Sequence, residues 1–576
     1  MTAPNRAVVA LLTVGAIAIG FAAADTYVVV LAMPEMMTAT GLKIDDLQRA
    51  APIVSGFLLG YVAVLPLIGK IADIRGRVPV LLACLVIFSF GSLVTAAGHD
   101  LNTLVAGRFI QGVGGGGLIP PILALIGDTW PPEKRGLPLG VVGAVQELGS
   151  VLGPLYGAAI LAFGNWRDIF WLNLSIGLVL AAVLLKFRDT ETHLPAREPT
   201  MPDRLSVGLF FLLWVLTALF LYRPDALVSG YWTGLAYLPL VGAYSITSPI
   251  ALVMIAAFIA LIIRSLSAEN ALFNFRTWRT IAYEIDLLGA ALLTLTLGMV
   301  VLTFATADHE TAGISPLAPV FIPIGVVALI GFIWRQRTAA APLIERGTLD
   351  EKPAWGSILV SLFVGAALIA ALVDIPFFAR ITIAQNSQLD AALVLVRFLV
   401  ALPVGALVGG WLLRKVSAAN LTGIAMFLSA ASFFVMSRWP ADALEHGAAT
   451  IVLLTCGFGF GLAVAPVNDA LLASTKEEVH GLASALLIVA RMIGMLVGIS
   501  ALTTLGLNAF HKAVAALPPV TTLCNGEETA CAAYADAIRD AGIAQLHAVF
   551  SGAMVCALVA GTLAVVLLRT RATVKV

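Results

Sequence analysis

The stretch Gly69-Lys-Ile-Ala-Asp73-Ile-Arg75-Gly76-Arg77 decides the fold, because it places charges and glycines between two long apolar runs. Those runs cover residues 52–70 and 79–97. Each has about the 20 residues that a helix needs to cross a bilayer. A charged turn between two such helices puts Asp73 at the membrane boundary, where it can pair with Arg77 or accept bonds from a neighbouring helix N-terminus. The glycines let helix ends approach each other closely.

The composition places the rest of the chain in a membrane as well. The chain has 576 residues, of which 60% are hydrophobic and 12% are charged. Soluble domains carry about 25% charged residues, so an ordinary soluble enzyme and a disordered chain are both excluded. Lys+Arg and Asp+Glu number 34 each, and without a basic arm we expect no nucleic-acid partner. Five cysteines are too few for a disulfide-built scaffold.

Sixteen apolar stretches are long enough to span a bilayer, and they group as six, four and six. The first six are 7–34, 52–70, 79–97, 103–127, 137–163 and 169–187. The middle four are 205–222, 241–263, 283–305 and 317–334. The last six are 354–379, 391–413, 420–437, 448–473, 480–510 and 543–568. The sequence therefore predicts an all-α polytopic membrane protein with a six-helix bundle at 1–189, a linker region with four spans at 190–352 and a second six-helix bundle at 353–576.

The distribution of Lys and Arg predicts the orientation. Loops on the side of the N-terminus hold 23 of these residues, loops on the other side hold 8, and 3 lie within spans. Basic residues favour the cytoplasmic side, so we expect both termini in the cytoplasm. Removing one middle span would invert every later loop, which favours an even number of spans. Fourteen is the alternative to sixteen, with 205–222 and 241–263 lying as an interfacial hairpin.

The two six-helix bundles look like copies of each other. Asp25 lies late in the first span and Asp374 lies late in the eleventh, 349 positions on. A GxxxG pair that begins at Gly149 in the fifth span recurs from Gly494 in the fifteenth, 345 positions on. Such offsets are typical of a duplicated transporter with its substrate site between the halves. Chance is the alternative, because GxxxG pairs recur in many membrane proteins.

Six charged residues fall within spans, where a charge is costly and usually faces a cavity or a partner. They are Asp25, Arg108, Glu147, Asp374, Arg397 and Arg491. Glu147 and Arg491 lie at similar depth, and we expect an ion pair between the halves that breaks during transport, or else a static pair that fixes packing. Buried carboxylates can carry a proton, so Asp25 and Asp374 are candidates for proton coupling, with a structural role as the alternative. Arg108 can instead cap helix carbonyls.

Five motifs resemble those of the major facilitator superfamily, and three of the five are general to it. Its G-x-x-x-D-x-x-G-R signature, which belongs to a cytoplasmic gate, corresponds to Gly69, Asp73, Gly76 and Arg77. Its R-x-x-Q-G-x-G motif in the fourth helix corresponds to Arg108, Gln111 and Gly112. Its antiporter motif in the fifth helix corresponds to Gly149, Gly153, Pro154 and Gly157, whose glycines allow close contact while the proline loosens the helix.

Two further motifs resemble the fourteen-helix drug:proton antiporter branch. They are the run from Asp25 to Pro34 and the run from Trp166 to Asn173. Tyr27 and Val30 replace the polar Thr and Asn of that branch, which reduces polar contacts near the expected site.

A more specific resemblance is to the triacylglyceride exporters of mycobacteria. It is carried by Asp25-Thr-Tyr-Val-Val-Val, by residues 146–157 and by residues 489–498. It implies proton-coupled export of triacylglycerol or a related lipid from the bacterial inner membrane to the periplasmic side by a monomer, with a periplasmic lipid-carrier lipoprotein as a further partner. Efflux of small amphipathic drugs is the alternative. That family has fourteen spans, so residues 190–280 are expected to be an insertion.

The last two spans outrun the bilayer. A helix from about 528 to 568 would be roughly 60 Å long, twice the hydrocarbon core. We expect a hairpin extension at about 510–544 that projects outside the membrane, as the resemblance also implies; a long loop is the alternative. Cys524 and Cys531 fall there, on the oxidising side, where we expect a disulfide.

Nothing in the sequence indicates an enzyme. The chain has no G-x4-G-K-[ST] loop for ATP, and its seven histidines form neither an H-E-x-x-H zinc motif nor an acyltransferase pair. We therefore expect no catalytic residues, no metal and no cofactor. A scaffold that transports nothing is a further alternative, but acids within the spans argue against it.

Overall fold

The computed structural model of this chain describes residues 6–42, 47–187, 203–240, 247–268, 285–305, 315–383, 388–524 and 531–569. Over these residues the protein is helical and contains no strand. Parts of the expected insertion, at 190–202, 241–246 and 269–280, lie outside the described residues. So do the side chains of Tyr27, Val30 and Pro154.

Eighteen helices of eleven or more residues in the described part of the chain form two bundles and a linker. The N-terminal bundle contains α1 (Arg6–Ala39), α2 (Leu47–Ala63), α3 (Leu65–Arg75), α4 (Arg77–Ala97), α5 (Leu101–Gly116), α6 (Ile119–Thr129), α7 (Gly136–Phe163) and α8 (Trp166–Leu185). The linker contains α9 (Arg204–Tyr222), α10 (Pro249–Ser267), α11 (Leu287–Ala305) and α12 (Ala318–Thr338). The C-terminal bundle contains α13 (Lys352–Ile381), α14 (Gln388–Leu412), α15 (Ala418–Met436), α16 (Gly447–Ala473), α17 (His480–Ala515) and α18 (Ala532–Leu567).

The number of spans agrees with the sequence. Fifteen helical stretches of the described residues are long and apolar enough to cross a membrane, with α5 and α6 counted as one. The bent pair α2 and α3 supplies a sixteenth span, with an angle of 41° at the break. Pro66 lies in the first turn of α3 and has no N–H to continue the ladder of α2, which explains the break.

Helices α9 and α10 form an antiparallel pair that lies alongside the N-terminal bundle. The ring of Trp214 in α9 lies 5.4 Å from Phe90 in α4. Towards the end of α9, the Leu221 carbonyl lies 3.0 Å from Nδ1 of His99, just beyond the end of α4. An ion pair of 2.9 Å joins the start of α9 to the end of α10. Because α9 runs beside α4 in the same direction, the contacts favour two spans here over an interfacial hairpin.

The packing of the two bundles repeats, which supports an internal duplication. In the first bundle, Gly153 of α7 lies against the backbone of Ala24 in α1. In the second, Gly498 of α17 lies against the backbone of Ala366 in α13. Gly498 follows Gly153 by 345 positions, and Ala366 follows Ala24 by 342. By this register the counterpart of Asp25 is residue 367, so Asp374 lies seven residues further along its helix. Seven residues are about 10 Å of helix, so the two acids lie at different depths.

The two seams between the bundles differ. The first few turns of α13 lie beside the last turns of α18, through Gly356 and Leu567, and we call this side of the molecule the terminal face. The side that carries the connection between α17 and α18 is the hairpin face. Linker helix α11 packs against both α2 and α17 and so covers the seam between them. At the other seam, α7 meets α14, and within the described part of the chain the helices that pack substantially against either one belong to the two bundles.

Helices α17 and α18 are the longest in the C-terminal bundle. Each has 36 residues, which corresponds to about 54 Å of helix. They are in contact just below the hairpin, where a Cβ on Gly506 would lie 2.8 Å from a methyl of Val549. The structure joins Cys524 and Cys531 by a disulfide between the two helices, with Cα atoms 5.7 Å apart.

Candidate functional site

Asp25 lies at the centre of a buried polar cluster in the N-terminal bundle. Its side chain accepts a hydrogen bond of 2.7 Å from Nη1 of Arg108, and both residues are 1% exposed. The other carboxylate oxygen accepts a bond from Nδ2 of Asn173, which is also buried. The guanidinium of Arg108 lies 4.3 Å from the ring centre of Phe57. One carboxylate therefore joins α1, α5 and α8 through charged and polar contacts.

A second layer of hydrogen bonds holds this ion pair in place. Gln111 accepts a bond of 2.7 Å from Arg108, and its amide donates to Ser92 at 3.0 Å. The hydroxyl of Tyr156 donates to Asn173 at 2.8 Å. The R-x-x-Q residues of α5 thus serve Asp25, and these bonds of Arg108 go to side chains rather than to helix carbonyls. Gly112 lets α5 approach the backbone of α2.

Sequence reasoning assigned no role to Ser92, Tyr156 or Asn173. Tyr156 and Asn173 fall inside quoted motifs, so a search for partners of Asp25 could have included them. Ser92 carries no signal of its own, because its contact with Gln111 depends on how α4 packs against α5.

Glu147 and Arg491 face one small cavity near the seam between α7 and α14. The cavity is lined by α7, α13, α14, α16 and α17, and besides these two side chains and Ser361 its walls are apolar. The two side chains do not form an ion pair in this conformation, and Nε of Arg491 has no hydrogen-bond partner in the described part of the chain. The direct pair expected from the sequence stays a prediction for another state of the protein.

Asp374 and Arg397 lie apart from this cavity. The carboxylate of Asp374, in the second half of α13, is half-buried and has no hydrogen bond or ion pair to any described residue. Arg397 donates a bond of 2.9 Å to the hydroxyl of Thr450 on α16. The structure therefore does not bring Asp374 to the other charged residues.

The turn between α3 and α4 contacts the start of α17 in the other bundle and so closes the terminal face, and we call these contacts the terminal-face gate. The Asp73 carboxylate accepts bonds of 2.8 Å from the backbone N–H groups of Gly481 and Leu482, at the start of α17. It also accepts a bond from Arg77, so both contacts expected for Asp73 are present. A Cβ on Gly69 would lie 2.5 Å from the carbonyl oxygen of Gly481, which shows how closely the two helices approach.

Two residues of this gate were not predicted. Arg77 also contacts Asp128 at the end of α6, with a distance of 3.1 Å. The other oxygen of Asp128 lies 2.8 Å from Nδ1 of His480, the first residue of α17. Neither residue belongs to a local motif, and only the folded arrangement of the halves shows the contact.

The second seam carries an equivalent closure. Glycines again set the crossing, since a Cβ on Gly136 of α7 would lie 2.7 Å from the carbonyl of Gly410 in α14. Arg135, just before α7, forms an ion pair of 3.8 Å with Asp469 near the end of α16. Arg414 is equivalent to Asp73, because it follows Asp73 by 341 positions, as Gly410 follows Gly69. Arg414 is exposed, so the two closures differ in detail.

The antiporter motif lies where α7 crosses α1. A Cβ on Gly153 would lie 2.5 Å from the carbonyl of Ala24, and Gly149 contacts the backbone of Gly20. Gly157 is buried.

Gly76 has a φ of +98°, which a glycine adopts readily and which makes the turn between α3 and α4.

Comparison with known proteins gives a consistent result. Residues 15–307 match the Major Facilitator Superfamily. A triacylglyceride transporter of Mycolicibacterium hassiacum is 32% identical over 88% of this chain and 82% of its own length. A triacylglyceride transporter of Mycobacteroides abscessus is 34% identical over 88% and 85%, and one from Mycobacterium tuberculosis is 33% identical over 89% and 86%.

Solved structures show the same fold at lower identity. A human organic anion transporter superposes with a TM-score of 0.52 at 16% identity and covers 98% of this chain and 100% of its own. A proton:xylose symporter superposes with a TM-score of 0.52 at 12% identity and covers 96% and 94%.

Proposed function

This chain belongs to the Major Facilitator Superfamily of membrane transporters, and on that basis we propose that it exports triacylglycerol or a related lipid with a proton gradient as the driving force. The observation that carries the proposal is the likeness, over 88% of the chain, to transporters named for triacylglyceride. The fold and the buried acids of the spans support it, because such acids usually mark an ion pathway.

The uncovered seam supports a substrate that comes from the bilayer. Helix α11 covers the seam between α2 and α17, whereas no described residue of the linker covers the seam between α7 and α14 in the same way. The helices beside it expose an apolar stripe, formed by Leu148, Leu152, Leu155, Val400 and Val404. A lipid can approach such a seam without leaving hydrocarbon, and the cavity of Glu147 and Arg491 lies beside it.

The orientation of the proposal follows from the basic residues. With 23 Lys and Arg on one side and 8 on the other, the terminal face lies in the cytoplasm and the hairpin face in the periplasm. Helices of about 54 Å then carry the hairpin beyond the inner membrane, where a lipid-carrier lipoprotein can receive the lipid. We propose that the transporter acts as a monomer.

Proton coupling is assigned to Asp25 and Asp374. Protonation of Asp25 removes its attraction for Arg108 and loosens the contact between α1 and α5, which gives proton binding a conformational effect. Asp374 is the second candidate, because its carboxylate has no cation to hold it ionised among the described residues. Glu147 and Arg491 would join across their cavity as the halves rearrange.

Efflux of small amphipathic compounds is the second candidate function. It is favoured by the α7–α1 crossing through Gly149 and Gly153, which follows the antiporter motif. It also fits a cavity that holds one acid and one base. Both functions use the same proton sites and differ in the substrate.

The test is transfer of labelled triacylglycerol by protein in proteoliposomes with and without a pH gradient. Wild type is compared with Asp25→Asn, and with Glu445→Gln as the control because that carboxylate is exposed. Gradient-dependent transfer that Asp25→Asn loses and Glu445→Gln keeps supports proton-driven lipid export. Dye efflux without any lipid transfer in wild type would overturn the lipid assignment and leave drug antiport. Transfer that ignores the gradient would overturn proton coupling alone.

A further inference from the structure

Two acid–base contacts across the terminal face are related by the internal repeat. Asp128 of the first half faces His480 of the second, at 2.8 Å. Asp469 of the second half faces Arg135 of the first, at 3.8 Å. Asp469 lies 341 positions after Asp128, and His480 lies 345 positions after Arg135, which are the offsets of the glycine crossings beside them. One contact therefore has a permanent cation, and its equivalent has a histidine.

Both ring nitrogens of His480 face hydrogen-bond acceptors. Nδ1 lies 2.8 Å from the Asp128 carboxylate, and Nε2 lies 3.1 Å from the carbonyl oxygen of Leu472. A neutral imidazole has one N–H, so it can satisfy only one of these acceptors, whereas an imidazolium donates to both. His480 is 2% exposed, so water cannot readily replace a missing donor. The geometry of the closed gate thus fits the protonated ring.

The charges around the ring favour the same protonated form. Besides Asp128 on α6, the gate contains Asp73 on α3, Arg77 on α4, Arg135 before α7 and Asp469 on α16. Glu477 precedes α17 and Glu133 precedes α7; both are exposed side chains. The three aspartates face only two guanidinium groups, and Arg77 is shared between two of them. An imidazolium at position 480 gives Asp128 a cation that it does not share with Asp73.

We propose that His480 is a proton-binding site of the terminal-face gate, which takes up one proton when the gate closes and releases it when the gate opens. Uptake and release occur on the same side of the membrane, so this proton is not transported. Since the closed gate binds one more proton, lower pH on the terminal face favours closure. The proposal rests on the alternation of the proposed function, but it requires neither a lipid substrate nor proton coupling at Asp25.

The test measures the gate directly. Spin labels at Lys134 and Lys415, which are exposed on opposite halves of the terminal face, report its opening as an interspin distance. The labels are placed in a background with Cys84, Cys456 and Cys556 replaced by Ser, which leaves the disulfide intact. In the purified wild type without substrate, we expect the short-distance population to rise several-fold from pH 8 to pH 6.

Four variants complete the test. His480→Gln and Asp128→Asn should abolish the pH response, and the exposed His446→Gln should keep it. His480→Arg, which copies the equivalent contact, should hold the gate closed at both pH values. A histidine with a structural role alone would shift the populations in His480→Gln and leave the pH response. That result, or a wild type without a pH response, overturns the proposal.

A variant that fails to fold does not stop the test. Wild-type protein labelled with ¹⁵N-histidine should show one imidazolium at pH 7 that disappears in Asp128→Asn. Because the distance measurement uses no substrate and no gradient, a protein that fails lipid transfer can still show the response. A protein that transfers lipid can equally lack the pH response of the gate. Failure of one proposal is therefore distinguishable from failure of the other.

Discussion

The Asp25 carboxylate and the Arg108 guanidinium form an ion pair of 2.7 Å from which solvent is excluded. The pair joins the middle of α1 to α5, and Asn173 adds α8 through the second carboxylate oxygen. A candidate proton site is therefore also a packing centre of the N-terminal bundle. Two isolated charges in such surroundings would each be costly, so the pair must be considered as one unit.

Removal of Arg108 should cost more stability than removal of both charges. Arg108→Gln leaves the Asp25 carboxylate buried without its cation, and we expect a loss of about 3–5 kcal/mol in the free energy of unfolding. In the double variant with Asp25→Asn, a large part of that loss should be recovered because no buried charge remains. Thermal and denaturant unfolding of purified protein measures both.

The control is Arg414→Gln, because Arg414 is exposed and should tolerate the change with an effect of less than about 0.5 kcal/mol. Equal losses in the single and double variants would show that Arg108 acts through packing rather than through its charge.

Gly69→Ala should prevent the terminal face from closing. The new Cβ would lie 2.5 Å from the carbonyl oxygen of Gly481 and 2.9 Å from Cβ of Ala485, and a helix backbone cannot yield as a flexible side chain does. We expect the long-distance population between labels at Lys134 and Lys415 to dominate at every pH. Gly208→Ala is the matched control, since nothing lies within 4 Å of its Cβ position. The control should leave the distance populations unchanged. Its free energy of unfolding should stay equal or rise by up to about 1 kcal/mol, because alanine has a higher helix propensity than glycine. An unchanged gate in Gly69→Ala would disprove the role of this crossing.

Much of the fold could be predicted from the sequence, because apolar runs and loop charges are local signals. The runs at 52–70 and 205–222, for example, end within about five residues of the last residues of α3 and α9. The break between α2 and α3 was not predicted, although Pro66 marks it. Similar sequence offsets also suggested that Asp374 is the counterpart of Asp25, whereas the helix crossings place that counterpart at residue 367.

The site could be predicted only where one partner lies in a motif. Asp73 was expected to meet a helix N-terminus, yet the sequence does not say that the helix is α17. Asp128 and His480 are 352 residues apart and belong to different halves, so their contact depends on how the bundles meet. Physical rules for local segments cannot supply that information. The repeat offsets of 341 and 345, once known, relate the contact of Asp128 and His480 to the contact of Asp469 and Arg135.

Loss of the disulfide should loosen the tip of the hairpin alone. Replacing both Cys524 and Cys531 by Ser removes a cross-link that closes a short loop, which stabilises by about 2 kcal/mol in the chain-entropy account. Hydrogen exchange should rise at the facing ends of α17 and α18 and stay unchanged around Asp25. The control is Cys556→Ser, because Cys556 is a free cysteine. Faster hydrogen exchange throughout the C-terminal bundle of the variant without the disulfide would contradict a local role.

Asp374→Asn should separate transport from stability. The Asp374 carboxylate has no hydrogen bond or ion pair to a described residue, so the amide breaks no contact there and cannot acquire a charge, which would be costly at this site. We expect the free energy of unfolding to stay equal or to rise by about 1 kcal/mol, in contrast to the loss expected for Arg108→Gln. If Asp374 carries a transported proton, the same variant should lose gradient-dependent transfer in proteoliposomes while gradient-independent exchange continues. Full gradient-dependent transfer in Asp374→Asn would remove this acid from the coupling mechanism and leave Asp25 as the remaining carboxylate assigned to it.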